Sequence, residues 1–166
     1  DHFQRLELSR SYELNPRELD RHYFRHQRLL HPDRFATKSA KERAFSLGHS
    51  TDINDAYETL RDPLRRAEYL LSLVGRTVNA GSQTIDDHEL LTESIERREA
   101  LADARCPSEV DAIMSAALSD IQACQTGIST AFAQDNFDTA ATLTTRLKYL
   151  QKLASEARSV RARFPA

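Results

Sequence analysis

A chain of 166 residues with only 4 glycines, 5 prolines and no tryptophan favours helices and can form one sizeable core or two small ones. Its 23 basic and 25 acidic residues nearly cancel, which argues against a general nucleic-acid binder, and no apolar run is long enough to span a bilayer. The first residues resemble neither a secretory signal nor a transit peptide, and the 2 cysteines sit in helix-like sequence. We therefore expect an all-α protein in a reducing compartment.

The segment "NPRELDRHYFRHQRLL" predicts the first long helix. Asn15 suits the N-cap, and the fixed φ of Pro16 suits the first helical position. Pro32 disfavours helical geometry at His31, so the helix should end there. The stripe predicted to face inward, at helical spacing, consists of Leu19, Tyr23, His26 and Leu30.

A second helix is expected from about Ser39 to Leu60, antiparallel to the first and joined to it by the loop 31–38. "RDPLRRAEYLLSLVG" then predicts a helix that restarts at Pro63 and stops at Gly75. With short helices on each side, the pair should make a domain of residues 1–75. The core candidates of the second helix are Ala44, Leu47, Ile53, Ala56, Tyr57 and Leu60.

Residues 76–86 are polar and contain Gly81, which is typical of a linker. Three further helices are predicted, over roughly 87–104, from Ser108 onwards and from near Asn136 onwards. The second and third keep apolar residues at spacings of three and four, which indicates core-facing stripes. We therefore expect a C-terminal three-helix bundle over residues 87–166.

The tripeptide His31-Pro32-Asp33 follows the first long helix, and it suits a turn, a docking surface, a catalytic pair or a metal site. As an acid/base pair it lacks a nucleophile and an oxyanion donor. A metal site would use His22, His26 and Asp33, but Tyr23 follows His22, so the His-Glu-x-x-His pattern of zinc proteases fails. A metal hydrolase is the weaker alternative, and we expect neither a metal nor a cofactor.

The helix context of this tripeptide carries a family resemblance. "ELDRHYFRHQRLLHPDRF" followed by "INDAYETLRDPLRRAEYLL" resembles a J-domain, the module that stimulates ATP hydrolysis by DnaK-type chaperones. "LRDPLRRAEYLLSLVG", the acidic "ELLTESIERREAL" and the later "RLKYLQKL" resemble one branch, the HscB type of iron-sulfur co-chaperone. The resemblance covers nearly the whole chain.

The resemblance implies that His31, Pro32 and Asp33 form the loop that stimulates a DnaK/HscA-type ATPase. The partner would supply the catalytic chemistry, so the chain is not expected to be an enzyme. The spacing of the arginines agrees with a docking role, because one edge of the helix opposite the apolar stripe would be cationic. The arginines of this edge are Arg21, Arg25 and Arg28, with Arg34 just past the turn.

The resemblance also implies a second surface, which holds an IscU-type scaffold on which iron-sulfur clusters are built. Thr92 departs from the family there, because a larger apolar residue is common at that position. A partly buried seam of the bundle is the alternative interpretation, and for Leu91 it is about as plausible. The residues that align with the scaffold-binding strip are Leu91, Ile95, Glu96, Arg98 and Glu99, together with Tyr149 from the last helix.

The resemblance implies a co-chaperone that stimulates a DnaK/HscA-type chaperone and delivers the scaffold to it. It would work in the bacterial cytoplasm, or in the mitochondrial matrix of a eukaryote, without nucleic acid or membrane as partners. A helical adaptor that binds the scaffold but does not stimulate the ATPase is the main alternative.

Overall fold

The computed structural model describes residues 1–31, 37–76, 78 and 88–164, and the regular elements within them are all helices. This confirms the predicted all-α fold. None of these helices is long and apolar enough to cross a membrane. The helices are α1 (His2–Arg5), α2 (Pro16–Leu30), α3 (Ala40–Arg61), α4 (Pro63–Leu73), α5 (His88–Asp103), α6 (Pro107–Ala133) and α7 (Phe137–Arg161).

The chain forms two compact units, Asp1–Leu70 and Leu71–Ala166. The predicted limits of the linker, at residues 76 and 86, stay a prediction because residues 77 and 79–87 lie outside the described part.

Helices α2 and α3 begin at sequence signals for helix starts. The side chain of Asn15 accepts a hydrogen bond from the Arg17 amide at 3.0 Å, and Pro16 occupies the first position of α2. At the start of α3, Ser39 and Glu42 form a reciprocal capping box. Both starts satisfy backbone amides that a helix otherwise leaves unpaired.

Hydrogen bonds between α2 and α3 fix their antiparallel register. The rings of Tyr23 and Tyr57 stack with their centroids 3.9 Å apart, midway along the pair. The side-chain hydrogen bonds between the two helices include those from Tyr57 to Asp20 at 2.8 Å, from Tyr23 to Asn54 at 3.1 Å and from Ser46 to the carbonyl of Leu30 at 2.8 Å. Residue numbers along α3 therefore decrease as those along the paired α2 increase, so the two helices are antiparallel.

The buried face of α3 differs from the prediction in its first half. The predicted core residues Ala44 and Leu47 are exposed, Leu47 at 64%, and those two assignments are wrong. Ser46 is buried instead, because it lies seven residues before the buried Ile53 and so shares its side of the helix. The predicted core residues that are confirmed are Ile53, Ala56, Tyr57 and Leu60.

The short helix α1 is tied to α4. The His2 amide donates a hydrogen bond to the hydroxyl of Tyr69 at 2.9 Å, and the two rings stack with centroids 4.3 Å apart. Phe3 and Leu6 are buried below this contact. At the other end of α4, Gly75 adopts a φ of 73°, the left-handed conformation expected of a glycine that ends a helix.

The second unit is built on the long helices α6 and α7, with α5 as the third helix. Asn136 caps α7 by accepting a hydrogen bond from the Thr139 amide at 3.2 Å. Leu71, in the last turn of α4, belongs to this unit and packs with Ala131 and Ala140. The buried side chains of α6 and α7 include Val110, Ala117, Cys124, Ile128, Leu147, Leu150, Ala154 and Ala157.

Replacing Gly48 by alanine should stabilise the protein by about 1 kcal/mol, because alanine favours the interior of a helix and removes backbone freedom from the unfolded chain. Apart from its chain neighbours and the local backbone of α3, no heavy atom of the described residues lies within 4 Å of a Cβ added at Gly48, so the methyl group has room. Urea unfolding would measure the change.

Gly127→Ala is the matched control, because a Cβ there would lie 2.8 Å from Cδ1 of Leu143, which must move. A smaller gain, or a loss, is expected. Equal gains at both glycines, or a loss at Gly48, would contradict this account of the two sites.

Candidate interaction surfaces

Helix α2 exposes an arginine face on the side away from α3. Arg21, Arg25 and Arg28 follow one another at spacings of four and three, and all three are exposed. Leu29 follows Arg25 by one turn and is 51% exposed, but it also lines a cavity with Ile53 of α3, so it lies at the border of this side. We define the arginine face as these four residues; it combines three cationic side chains with one apolar side chain.

Carboxylates of the same unit already pair with two of these arginines. Arg21 contacts Glu18 at 3.4 Å, one turn earlier on α2. Arg25 forms an ion pair with Glu7, whose φ of 55° is unusual for a residue with a side chain. The hydrogen bond from Arg25 is the main cause that lowers the pKa of Glu7 below its usual value. Glu7 therefore remains ionised and in contact with Arg25 near neutral pH.

The predicted stimulating loop is only partly described. His31 caps the C-terminal end of α2 with extended backbone geometry and is exposed. Pro32, Asp33 and Arg34, which the sequence analysis assigns to this loop and its edge, lie outside the described residues. His31 nevertheless follows the arginine face directly, so the first residue of the loop adjoins it.

The histidines of α2 were the basis of the metal alternative. His26 lies with Nε2 3.2 Å from an oxygen of Glu7, although no hydrogen bond of that nitrogen is formed within the described residues. His22 is half-buried, and Asp33 is not described. Residues 1–31, 37–76, 78 and 88–164 contain no group of three or more His, Cys, Asp or Glu side chains that could hold a metal ion. The described residues therefore supply no ligand set for a metal hydrolase.

Helix α5 separates two neighbouring leucines onto different sides. Leu90 is 6% exposed and faces the bundle, as does Leu101 further along the helix. Leu91 is 39% exposed and Ile95 is 49% exposed, so both point away from the bundle. Leu90, not Leu91, therefore lies in the buried seam between α5 and the rest of the bundle. The outward strip, which we call the α5 face, consists of Leu91, Thr92, Ile95, Glu96, Arg98 and Glu99.

Two predicted members of this second surface contact other parts of the bundle. Arg98 lies with Nε 3.3 Å from an oxygen of Glu156 on α7, so its guanidinium is held at the border of the α5 face. Tyr149 is half-buried and lines a narrow cleft between α5 and α7, together with Leu90 and Ser94. The structure therefore brings Tyr149 of α7 against α5, below the exposed strip.

The sequence analysis missed three side chains at these surfaces. Leu29 could have been found from its position four residues after Arg25, which places it on the same helical face. Glu93 and Arg97 lie between the two buried leucines of α5 and form ion pairs with α6 and α7. Their spacing of four residues suggests only a local pair on one helix, and nothing in it identifies partners on other helices.

The chain matches two family profiles in the order of its two units. A DnaJ domain profile matches residues 1–69. A profile described as the HSCB C-terminal oligomerisation domain matches residues 86–158. The arginine face therefore lies within the first matched region, and the α5 face lies within the second.

Relatives with known names share both regions. The chain is 36% identical to the mouse iron-sulfur cluster co-chaperone protein HscB over 153 residues, which cover 92% of this chain and 65% of the mouse protein; the human protein is likewise covered to 65%. It is 36% identical to the co-chaperone protein HscB homolog of Vibrio cholerae over 164 residues, which cover 96% of both chains. The solved structure of chaperone HscB from Vibrio cholerae superposes with a TM-score of 0.91 at 35% identity, over 98% of each chain.

Truncating the two adjacent leucines of α5 should lower the free energy of unfolding by very different amounts. Leu90→Ala leaves a cavity against α7 and should cost about 2–4 kcal/mol in the free energy of unfolding. Leu91→Ala removes a side chain that is 39% exposed and faces away from the bundle, so its effect should be clearly smaller, about 1 kcal/mol or less. Thermal and urea unfolding of the two variants would compare them. Equal destabilisation would mean that Leu91 is a seam residue after all.

Proposed function

Because the chain belongs to the HscB family of iron-sulfur cluster co-chaperones, we propose that it stimulates the ATPase of a DnaK/HscA-type chaperone and delivers an IscU-type scaffold to it. The observation that carries the proposal is the union of a J-domain helix pair and a bundle with an exposed apolar strip in one chain. The match to the Vibrio cholerae structure over 98% of each chain supports it.

The arginine face supports docking on an acidic surface of the chaperone. Its guanidinium groups are exposed and lie on one side of α2, where they can steer and orient a partner of opposite charge. Leu29 adds an apolar side chain that loses contact with water when a partner covers it. Together with His31, Pro32, Asp33 and Arg34 of the following loop, these residues form the proposed chaperone-binding surface.

The α5 face supports binding of the scaffold. Leu91 and Ile95 are exposed apolar side chains one turn apart, and Glu96 and Glu99 lie beside them. Small apolar centres ringed by polar groups are typical of the parts of interfaces that contribute most to affinity. Thr92 contributes less apolar area than a leucine or methionine would, so we expect weaker binding at that end.

In this proposed function, the chaperone carries out the ATP hydrolysis and this chain does not. The curated relatives are named co-chaperones, which supports a role in which this chain does not itself carry out the reaction. The chain would alter the rate of hydrolysis by stabilising one conformation of the chaperone. The proposed place of action is the bacterial cytoplasm, or the mitochondrial matrix in a eukaryote.

Reversing one charge of the arginine face should weaken chaperone docking. Arg25→Glu removes a cation from the proposed surface, so about tenfold or more co-chaperone should be needed for half-maximal stimulation of an HscA-type ATPase. For the unchanged protein, added salt should have the same effect, because charges are screened over roughly 10 Å at 0.1 M salt. His31→Gln should abolish the stimulation, because it alters the proposed loop.

The matched control is Arg65→Glu, which makes the same charge change at an exposed position of α4. It should leave the stimulation unchanged. Stimulation that is indifferent to Arg25→Glu and to salt would argue against electrostatic docking through α2. A chain that binds scaffold but never accelerates hydrolysis would be the adaptor instead.

Truncating Leu91, Ile95 and Tyr149 together to alanine should remove scaffold binding without affecting the chaperone surface. Each side chain is expected to contribute on the order of 1 to 2 kcal/mol, so the affinity should fall by about two orders of magnitude or more. Calorimetry with an IscU-type scaffold would measure the affinity. Stimulation by the variant alone should persist, and the extra stimulation caused by added scaffold should vanish.

Leu118→Ala is the control, because Leu118 is an exposed leucine of α6 away from α5. Circular dichroism must show unchanged helix content in both variants. A folded triple variant that binds scaffold normally would overturn the assignment of this surface.

A further inference from the structure

Apolar contacts hold α5 at its two ends. Leu90 at the first turn is buried beside Leu150 and Leu153 of α7. Leu101 at the last turn belongs to an apolar cluster with Val110 and Ala117 of α6. Between these ends, the side chains of α5 that face α6 and α7 are polar or charged, and they include Glu93 and Arg97.

Four charged side chains form a continuous chain across the three helices. Arg97 contacts Asp120 of α6 at 2.6 Å and Glu93 of its own helix at 2.6 Å. Glu93 also accepts a hydrogen bond from Arg146 of α7 at 2.8 Å. We call these four residues the α5 ion cluster; its two positive and two negative charges balance.

The α5 ion cluster is partly shielded from water. Its side chains are between about a quarter and a third exposed. Cys124, one turn after Asp120 on α6, is buried, and burial raises the pKa of its thiol above the usual value. The cluster therefore lies at the edge of the bundle interior, where charge pairs are screened less than on the open surface.

Ion pairs of this kind fix the register of α5 along its neighbouring helices more strictly than apolar contacts do. Apolar burial is non-directional, so it specifies the register of one helix along another less strictly than a charge-assisted hydrogen bond does. Glu93 and Asp120 instead both contact Nη2 of Arg97, so this shared contact forms only when α5 brings that nitrogen up to Asp120 of α6. A slip of one turn along α5 would move Arg97 by about 5.4 Å and break the contact with α6.

We propose that Glu93, Arg97, Asp120 and Arg146 are positioning residues that fix α5 on the α6/α7 pair and thereby hold the α5 face in its binding arrangement. The positioning of α5 is a property of the free protein, whereas its consequence for scaffold binding rests on the proposed function. Leu91 and Ile95 lie on the opposite side of the helix from the cluster, so they move whenever α5 shifts.

A salt-sensitive opening of α5 follows from this arrangement. The apolar contacts at Leu90 and Leu101 do not depend on ionic strength, whereas the ion cluster between them does. Local opening of α5 should therefore cost less free energy at high salt, while α6 and α7 stay protected by their long apolar interface.

Hydrogen exchange of the free full-length chain tests the positioning. Arg97→Met keeps the length of the side chain and removes its charge, and it should speed amide exchange in α5 about tenfold, equivalent to about 1.4 kcal/mol, without speeding exchange in α6 and α7. Raising the salt from 0.05 to 0.5 M should speed α5 exchange in the unchanged protein and much less in this variant.

A double-mutant cycle separates the ion pair from packing. If Arg97 and Asp120 act together, Arg97→Met/Asp120→Asn should speed α5 exchange no more than either single change does. The matched control is Arg161→Met, which breaks a pair of similar exposure between α6 and α7, Arg161 with Asp111 at 3.0 Å, and should leave α5 exchange unchanged. Additive effects in the cycle, or equal acceleration in all three helices, would overturn the proposal.

Calorimetry with a purified cluster-free IscU-type scaffold tests the consequence for binding. Arg97→Met should lower the affinity about tenfold at 0.05 M salt, and Arg161→Met should not. Faster α5 exchange with unchanged scaffold affinity would overturn the positioning role. If the unchanged protein bound no scaffold, the proposed function would fail while the exchange measurements still decided how α5 is held.

Discussion

A helix packed on one side can bury only one stripe of side chains, and both candidate surfaces are made of what remains outside such a stripe. In α2, the contact of Tyr23 with α3 decides which side is inside, so the arginines at Arg21, Arg25 and Arg28 are outside. In α5, burial of Leu90 against α7 turns Leu91 outward. The rotation of each helix about its axis therefore determines both which side chains are buried and which ones form the candidate surface.

Local signals in the sequence predicted most of the fold. The cap at Asn15, the proline at Pro63 and the glycine at Gly75 mark helix ends through interactions within a few residues, so they can be recognised without a partner helix. The phase of α3 was less predictable, because the contact with α2 determines which side is buried. A serine therefore occupies a core position while Leu47 is exposed.

The candidate surfaces were predictable to a smaller extent. The arginine spacing on α2 and the resemblance of the α5 strip gave the candidate residues, which stay predictions. Two adjacent leucines look alike in a sequence, and only packing distinguishes Leu90 from Leu91. The contacts from Arg97 to Asp120 and from Arg146 to Glu93 join residues 23 and 53 positions apart, so no local pattern reveals them. Such long-range ion pairs can be identified only once the fold is known.

Because Arg25 is already paired with Glu7, an acidic partner that docked on the arginine face would approach an arginine that already has a carboxylate partner. A carboxylate on the partner has to displace the carboxylate of Glu7, so docking at Arg25 exchanges one anion for another and the number of ion pairs there does not rise. A lone acidic group gains little from such an exchange. In the proposed docking, a partner that also covered Leu29 would gain apolar contact, so charge and shape together would determine selectivity.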